Sequence, residues 1–498
     1  MNKFPILSSM IAISLVGFLF TLITKKGDEK NPKILGLVIT VINLIVSLSL
    51  YLKFDNGFSG YQFIEKYPLL EKMNLYFHLG VDGIALTLIV LTNFLMPLVI
   101  LQSWFGVKEK SREYVSCILI LQSLMIGVFS SLNLFLFYIF FEAILIPMFF
   151  LIGIWGGANR IDACFKFFLF TFFGSIFMLV GIIKIYLECH SADLAFLSEN
   201  IISDHLQLWL FLCFTLAFAI KTPMFPFHIW LPKAHVEAPT GGSVLLAGVL
   251  LKMGTYGLIR VCLQLFPHAC KFYQTDILIL SVVAIIYGAI LAFAQKDIKK
   301  LVAYSSVSHM GIVTLGIFSL NIYGLSGACV QIISHGITSA GLFFCVGMIY
   351  ERFHTRDISD YGGLIAKMPF YSWMFLFIVF GSIAVPATSG FVGEFLCLIG
   401  CYKSNSIFVY FAVLGVILSA VYMLFMYYKV FFGKISTKLG IDFTQSHESI
   451  VKKLQLNIPE IIILISVATV ILLIGIYPKF LLGSIEESCQ KITLFLRK

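Results

Sequence analysis

The chain has 498 residues, 59% of them hydrophobic, with 50 Phe, 12% charged residues and a mean hydropathy of +0.96. A charge fraction about half that of a soluble domain excludes a water-soluble globular protein and leaves a polytopic membrane protein. The net charge of +9 sits mainly in loops between apolar runs, so it reflects membrane topology and gives no reason to expect a nucleic-acid partner.

Apolar runs of about 20 residues predict about fourteen spanning helices and an all-α polytopic membrane protein. Their cores lie at 4–24, 34–52, 81–103, 114–131, 134–155, 163–187, 206–235, 242–266, 276–294, 300–319, 322–350, 369–403, 407–428 and 458–482. The first run has no basic leader with a small-residue cleavage site and reads as a retained helix. Lysine and arginine collect in KKGDEKNPK, VKEKSRE, KDIKK, ERFHTRD and the 429–457 connection. Their bias toward cytoplasmic loops puts these segments inside and both termini outside the cytoplasm. A polar outer connection fills 54–80, and Asp82 opens the third span at the positive end of a helix dipole, a sufficient role for it.

The fifth span, NLFLFYIFFEAILIPMFFLIGIW, can be capped by Asn133 and carries Glu142 among Phe, Ile and Leu. Pro147 frees the carbonyl of Ala143 beside it. A carboxylate at membrane depth needs a cation, and Lys221 is the natural candidate, with Lys166 near the start of the sixth span as the second. Lys221 lies too deep in the seventh span to snorkel to the headgroups. Pro223 and Pro226 follow it, freeing the carbonyls of Ala219 and Thr222, so a small polar site is expected beside the lysine.

Lys252 lies in the eighth span, His309 in YSSVSHMG of the tenth and His335 in IISHGITSAG of the eleventh. Histidine titrates near neutral pH and has two ring nitrogens through which a proton can pass. Taken singly, each histidine suits a hydrogen-bonded core role equally well. With Glu142, Lys221, Lys252 and Glu394 they form a row of titratable groups across the membrane. The twelfth span breaks at VPATSGFVGEF, where Pro386, Gly390 and Gly393 precede Glu394. Breaks at corresponding places in spans seven and twelve point to inverted repeats. The organisation expected is 1–112 (helices one to three and the outer connection), 113–266 (a first five-helix repeat, spans four to eight), 276–432 (a second, inverted repeat, spans nine to thirteen) and 433–498 (a connection and span fourteen). The 11 cysteines are scattered singly without metal-ligand spacing and read as small packing residues, so no metal site is expected.

Four stretches carry a resemblance that covers nearly the whole chain: LPKAHVEAPTGGSVLLAGVLLKMGTYG, QKDIKKLVAYSSVSHMG, SHGITSAGLFFCVGMIYERFHTRD and GFVGEF. They resemble the antiporter-like subunit M family of NADH:quinone oxidoreductase, respiratory complex I, of which mitochondrial subunit 4 is the counterpart. The resemblance implies a fourteen-helix core of two inverted repeats with discontinuous seventh and twelfth spans. It implies a proton channel in which Glu142 pairs with Lys221 and is linked through Lys252 to an exit residue, Glu394. Sister subunits usually carry lysine where this chain has Glu394, which points to subunit M. Lys233 stands where many bacterial members have aspartate and mitochondrial ones commonly lysine, and it touches none of the channel residues. By the same resemblance the chain is a subunit of the enzyme with no redox centre of its own; NADH, FMN, iron–sulfur clusters and quinone belong to partner subunits. The partners implied are the other membrane-arm subunits, sister antiporter-like subunits among them, with the lipid bilayer and protons, in a bacterial inner membrane. A cation/proton antiporter working without redox partners and a purely structural spacer are the competing readings.

Overall fold

The structure, a computed structural model, describes residues 4–70, 75–199, 202–434 and 454–496. In chain order come α1 (Ile6–Ile23), α2 (Asn31–Leu52), β1 (Gln62–Leu70), β2 (Leu75–Val81), α3 (Gly83–Gly106), α4 (Ser111–Ser130), α5 (Leu134–Ala143), α6 (Leu145–Trp155), α7 (Arg160–Cys189) and α8 (Leu194–Glu199). Then follow α9 (Asp204–Lys221), α10 (Trp230–Glu237), α11 (Thr240–Leu245), α12 (Leu251–Gly257), α13 (Pro267–Phe272), α14 (Gln274–Phe293), α15 (Ile298–Ile317), α16 (Ile322–Phe353), α17 (Pro369–Ser382), α18 (Ser389–Ser404) and α19 (Ser406–Phe431). The described chain closes with Ile458–Ile476, here α20, and Lys479–Phe495, here α21.

Among the described residues, 12 helices are long and apolar enough to cross a membrane. Two of the segments expected to span are not in that set, each for a physical reason. Helix α15 opens on Lys299 and Lys300 and carries Ser305, Ser306, Ser308, His309 and Thr314, which make it too polar by composition. The 369–403 segment is two short helices, α17 and α18, separated at 383–388. Residues 1–3, 435–453 and 497–498, on which the expected placing of the termini and of the 429–457 connection partly rests, lie outside the described residues.

The apolar stretches of Thr240–Leu263 and of α16 are 100% buried, whereas those of α1, α2 and α19 are 33%, 28% and 28% buried. A helix apolar on all sides and covered on all sides is a central one, so these two form the axis and the others face lipid. The axial pair meets backbone to backbone: a methyl group placed on Gly336 would lie 2.8 Å from the Gly248 carbonyl oxygen. Small residues permit that approach and bring the next side chains, Lys252 and His335, against each other. On both sides of α12 the winding loosens into π-helix, at Leu246–Leu250 and Leu258–Leu263, a local irregularity common near functional side chains.

The 54–80 connection contains more than polar loop. Strands β1 and β2 pair antiparallel, with Glu65 facing Leu79 and Tyr67 facing Phe77, a pair called the hairpin below. The Glu65 carboxylate accepts from the amides of Leu7 (2.7 Å) and Ser8 (3.0 Å), placing negative charge at the start of α1, which has no side-chain cap of its own. His78 Nδ1 lies 2.6 Å from Asp193 in the turn before α8, and Lys66 lies 3.6 Å from the same carboxylate. Burial alone would raise the Asp193 carboxyl, but the bond to His78, its charge and that of Lys66 outweigh it and hold Asp193 below the ordinary carboxylate range.

Polar contacts tie loops together at each end of the bundle. At the hairpin end, Leu134 N–H donates to Ala192, and Asn321 Nδ2 reaches the Gly400 carbonyl at 2.7 Å. Helix α21 closes the same end: Tyr51 Oη donates to the Phe480 carbonyl (2.6 Å), Gly83 N–H donates to Ser488 Oγ (3.2 Å), and a methyl group on Gly83 would clash with the Ser484 carbonyl. At the opposite end, Lys33 binds the Val107 carbonyl (2.7 Å), Gly157 N–H the Glu237 carbonyl (2.8 Å) and Arg356 the Val236 carbonyl (2.6 Å), while Arg352 pairs with buried Glu460 at 2.6 Å.

Candidate functional site

Helix α9 ends on Lys221, and helix resumes only at Trp230. Between them Pro223 and Pro226 follow cis peptide bonds. The expectation of an open carbonyl beside the lysine needs correction at Ala219. The Ala219 carbonyl accepts from Met224 N–H (2.7 Å), and the Ile220 carbonyl from the Trp230 indole (2.8 Å), because the tight turn supplies new donors for the ones proline removes. Lys221 Nζ, 1% exposed as a residue, makes no hydrogen bond and instead faces the ring of Phe141 at 4.8 Å and that of Phe167 at 5.9 Å.

Glu142 lies two residues before the turn at Ile144 that joins α5 to α6, where Pro147 has no N–H to offer the Ala143 carbonyl. Asn133 caps the start of α5, accepting from Phe135 N–H (3.0 Å) and Leu136 N–H (3.3 Å). Glu142 Oε1 is buried without a hydrogen-bond partner. Glu142 and Lys221 interact electrostatically but form no contact ion pair. Lys166, the alternative partner, is elsewhere engaged: it pairs with Asp162 one helical turn away at 2.5 Å, on a surface where the two side chains are 38% and 60% exposed.

The remaining sequence-predicted residues converge. Lys252 Nζ donates to the Ala247 carbonyl and lies 2.7 Å from His335 Nδ1. The rings of His335 and His309 are 5.7 Å apart, centroid to centroid. His309 Nδ1 is 2.9 Å from Glu394 Oε1. Helices α12, α16, α15 and α18 therefore each contribute one member of a buried row, Lys252, His335, His309 and Glu394. The Nε2 atoms of both histidines and Glu394 Oε2 have no hydrogen-bond partner. An ammonium only donates, so His335 Nδ1 accepts from it and the neutral ring carries its hydrogen on Nε2. A carboxylate only accepts, so His309 Nδ1 donates and the neutral ring keeps its lone pair on Nε2. With Lys252 protonated and Glu394 ionised, the two unpartnered nitrogens are a donor and an acceptor, a polarity that lets a proton pass from Lys252 toward Glu394.

Glu394 owes its position to the break before it. Ala384 and Ala387 adopt left-handed backbone (φ 57° and 70°), Pro386 lies between them, and Gly390 lets α18 pass the Gly381 carbonyl, which a methyl group there would approach at 2.3 Å. Sequence reasoning missed four buried polar groups, Gln331, His235, Lys299 and Arg260. Gln331 donates to Glu394 Oε1 at 3.0 Å. His235, fully buried on α10, stacks on Phe343 at 4.6 Å with both nitrogens unpartnered; its place in the proline-flanked LPKAHVEAPT was the available signal. Lys299, counted as a loop charge, is buried on the Ala238 carbonyl at 2.5 Å. Asp82 does cap α3 through Ala85 N–H (3.0 Å), but it also pairs with buried Arg260 at 2.5 Å. Lys233 is exposed on α10, away from the row.

A family model described as NADH:quinone oxidoreductase/Mrp antiporter, TM, matches residues 131–419. NADH-quinone oxidoreductase subunit M of Rickettsia prowazekii is 49% identical over 441 residues, covering 88% of this chain and 90% of the relative. A chain of respiratory complex I from Thermus thermophilus, solved with bound NADH, superposes with a TM-score of 0.88 at 29% identity, covering 99% of both chains. A chain of the Mrp complex from Dietzia superposes with a TM-score of 0.84 at 17% identity, again over 99% of both, a likeness of fold alone. With a family model spanning more than half its length and a relative this similar over most of it, the chain belongs to the NADH-quinone oxidoreductase subunit M family of multi-pass, antiporter-like membrane proteins.

Proposed function

We propose that the chain translocates protons as an antiporter-like membrane-arm subunit of NADH:quinone oxidoreductase, driven by NADH oxidation and quinone reduction in partner subunits that hold the FMN and iron–sulfur clusters. The observation that carries this reading is the buried row Lys252, His335, His309 and Glu394, in which one histidine lies within hydrogen-bond distance of the lysine, the other of the carboxylate, and the two rings are 5.7 Å apart. Glu142 and Lys221 act upstream of it. When Glu142 moves away, the Lys221 ammonium loses its counter-charge and becomes a proton donor to the row. Moving one charge against the membrane potential costs about 2.3 kcal/mol per 100 mV, and each pKa unit is worth about 1.4 kcal/mol, so a swing of a few units suffices. The interruptions at 222–229 and 383–388 support two inverted five-helix repeats, 113–266 and 276–432, related across the row. The basic loops support an orientation with both termini outside the cytoplasm of a bacterial inner membrane.

The test is Glu142→Gln, which keeps shape and removes charge. Membranes carrying the assembled variant complex should lose at least about tenfold in NADH-driven proton pumping, the equivalent of one pKa unit of lost coupling. Electron transfer to quinone should fall with it in the same preparation. If both persist at normal assembly, Glu142 is a static structural group. Lys166→Gln in the same assay should leave pumping and assembly unchanged, since its partner is Asp162 on the surface.

A further inference from the structure

Gln331 belongs to the same helix face as His335, one turn earlier on α16, and is 2% exposed. Its amide donates to Glu394 Oε1, the oxygen that also receives His309 Nδ1, while its own Oε1 has no partner. Only the donor half of the amide is in use. The backbones behind the two side chains touch: a methyl group on Gly393 would lie 2.7 Å from the Gln331 Cα, and one on Gly327 would lie 2.5 Å from Cys397 N. Glu394 is thus fixed against α16 and aimed by two donors at a single point.

We propose that Gln331 is a positioning residue for Glu394: its amide, sharing Oε1 with His309 Nδ1, seats the carboxylate against His309 at the end of the row. The inference rests on the role proposed above for Glu394. Hydrogen bonds donated to a carboxylate stabilise the charged state over the protonated one, and removing a donor makes a buried carboxylate hold its proton to higher pH. The other titratable groups facing Glu394 are His309 from α15, Tyr422 from α19 and Cys397 on α18 itself. Helix α20 contributes only Glu460, which is paired with Arg352, and the Tyr371 hydroxyl of α17 is bonded to the Cys345 carbonyl.

The experiment measures NADH-driven pumping by the assembled complex across a range of pH on the side that receives the protons, for Gln331→Met, Gln331→Glu, Glu394→Gln and the unaltered protein. Gln331→Met fills the same space without a donor. Its acid limb should move to higher pH by about 1–2 units, the worth of one hydrogen bond to a charged group. Gln331→Glu sets a second carboxyl against Glu394 and should move the limb further, and it decides the matter by the same readout if the Met variant fails to assemble. Limbs that superimpose on that of the unaltered protein overturn the inference, because a merely structural glutamine would change yield and leave the limb in place. Glu394→Gln should pump at less than a tenth of the normal rate. Should it pump normally, the assignment of Glu394 to the row fails, and the role of Gln331 with it.

Discussion

Lys252→Met should cut NADH-driven proton pumping at least tenfold while leaving assembly of the complex intact. The lysine is fully buried, and its partners are one carbonyl and one histidine, with no carboxylate in contact. A buried cation without a counter-charge contributes little to stability, since its desolvation outweighs two hydrogen bonds, so an unbranched apolar residue of similar length can replace it without damage to the fold. The group left behind is His335 Nδ1, whose unmet hydrogen bond costs about 1–3 kcal/mol, too little to unfold a bundle of this size. Lys252→Arg sharpens the test. Guanidinium keeps the charge but does not give up its proton, so the Arg variant should be as inactive as the Met variant. The readouts are acidification of inside-out vesicles energised by NADH and quinone reduction in the same vesicles. More than half the normal pumping in either variant would remove Lys252 from the path.

Arg260→Met should destabilise the protein by about 3–5 kcal/mol, the cost of leaving one member of a buried ion pair alone. Arg260 Nη2 lies 2.5 Å from Asp82 Oδ1, the side chains being 4% and 6% exposed, and Nε and Nη1 each reach a tyrosine hydroxyl at 3.2 Å, those of Tyr256 and Tyr61. Without the arginine, Asp82 keeps the Ala85 N–H as a donor but loses its ion-pair partner. Asp82→Asn should cost about as much: asparagine caps a helix nearly as well as aspartate, but the guanidinium then stands uncompensated. The double variant should recover to within about 1 kcal/mol of the parent, because removing both charges abolishes both desolvation penalties. Denaturation midpoints of the purified complex across the four members of the cycle provide the measurement. Single effects that simply add would show that the pair is not an energetic unit.

What could be read from the sequence followed from cost. Lys221, Lys252 and Glu142 stood out because charge inside an apolar run is expensive, and the breaks before Trp230 and Ser389 because proline cannot continue a helix. What escaped depended on contacts between distant segments. Gln331 is a neutral residue in a long helix, and only the fold sets it against Glu394, 63 positions away. Arg260, near the end of a span, looks like a snorkelling side chain until Asp82 is found beneath it. The pairing of β1 with β2 was hidden because Pro68 and a mixed apolar pattern blur the alternation, and the strands are anchored by contacts to α1 and the loop before α5. The Ala219 carbonyl freed by Pro223 was identified, but its new donor, Met224, and the Trp230 indole bond to the neighbouring Ile220 carbonyl could be assigned only once the turn was seen.

The docking of α21 on α2 and α3 also sets a timetable for biogenesis. Phe480 follows Tyr51 by 429 positions. With bacterial ribosomes adding about 5–20 residues per second, the covering helix emerges roughly 20–90 s after the helix it covers. Throughout that interval the nascent chain is already inserted, yet the groove at Gly83 is open to lipid and to any neighbouring polypeptide. The hairpin end of the bundle is therefore the last to be sealed, and its open period, tens of seconds in every round of translation, is when an insertion factor has something to hold.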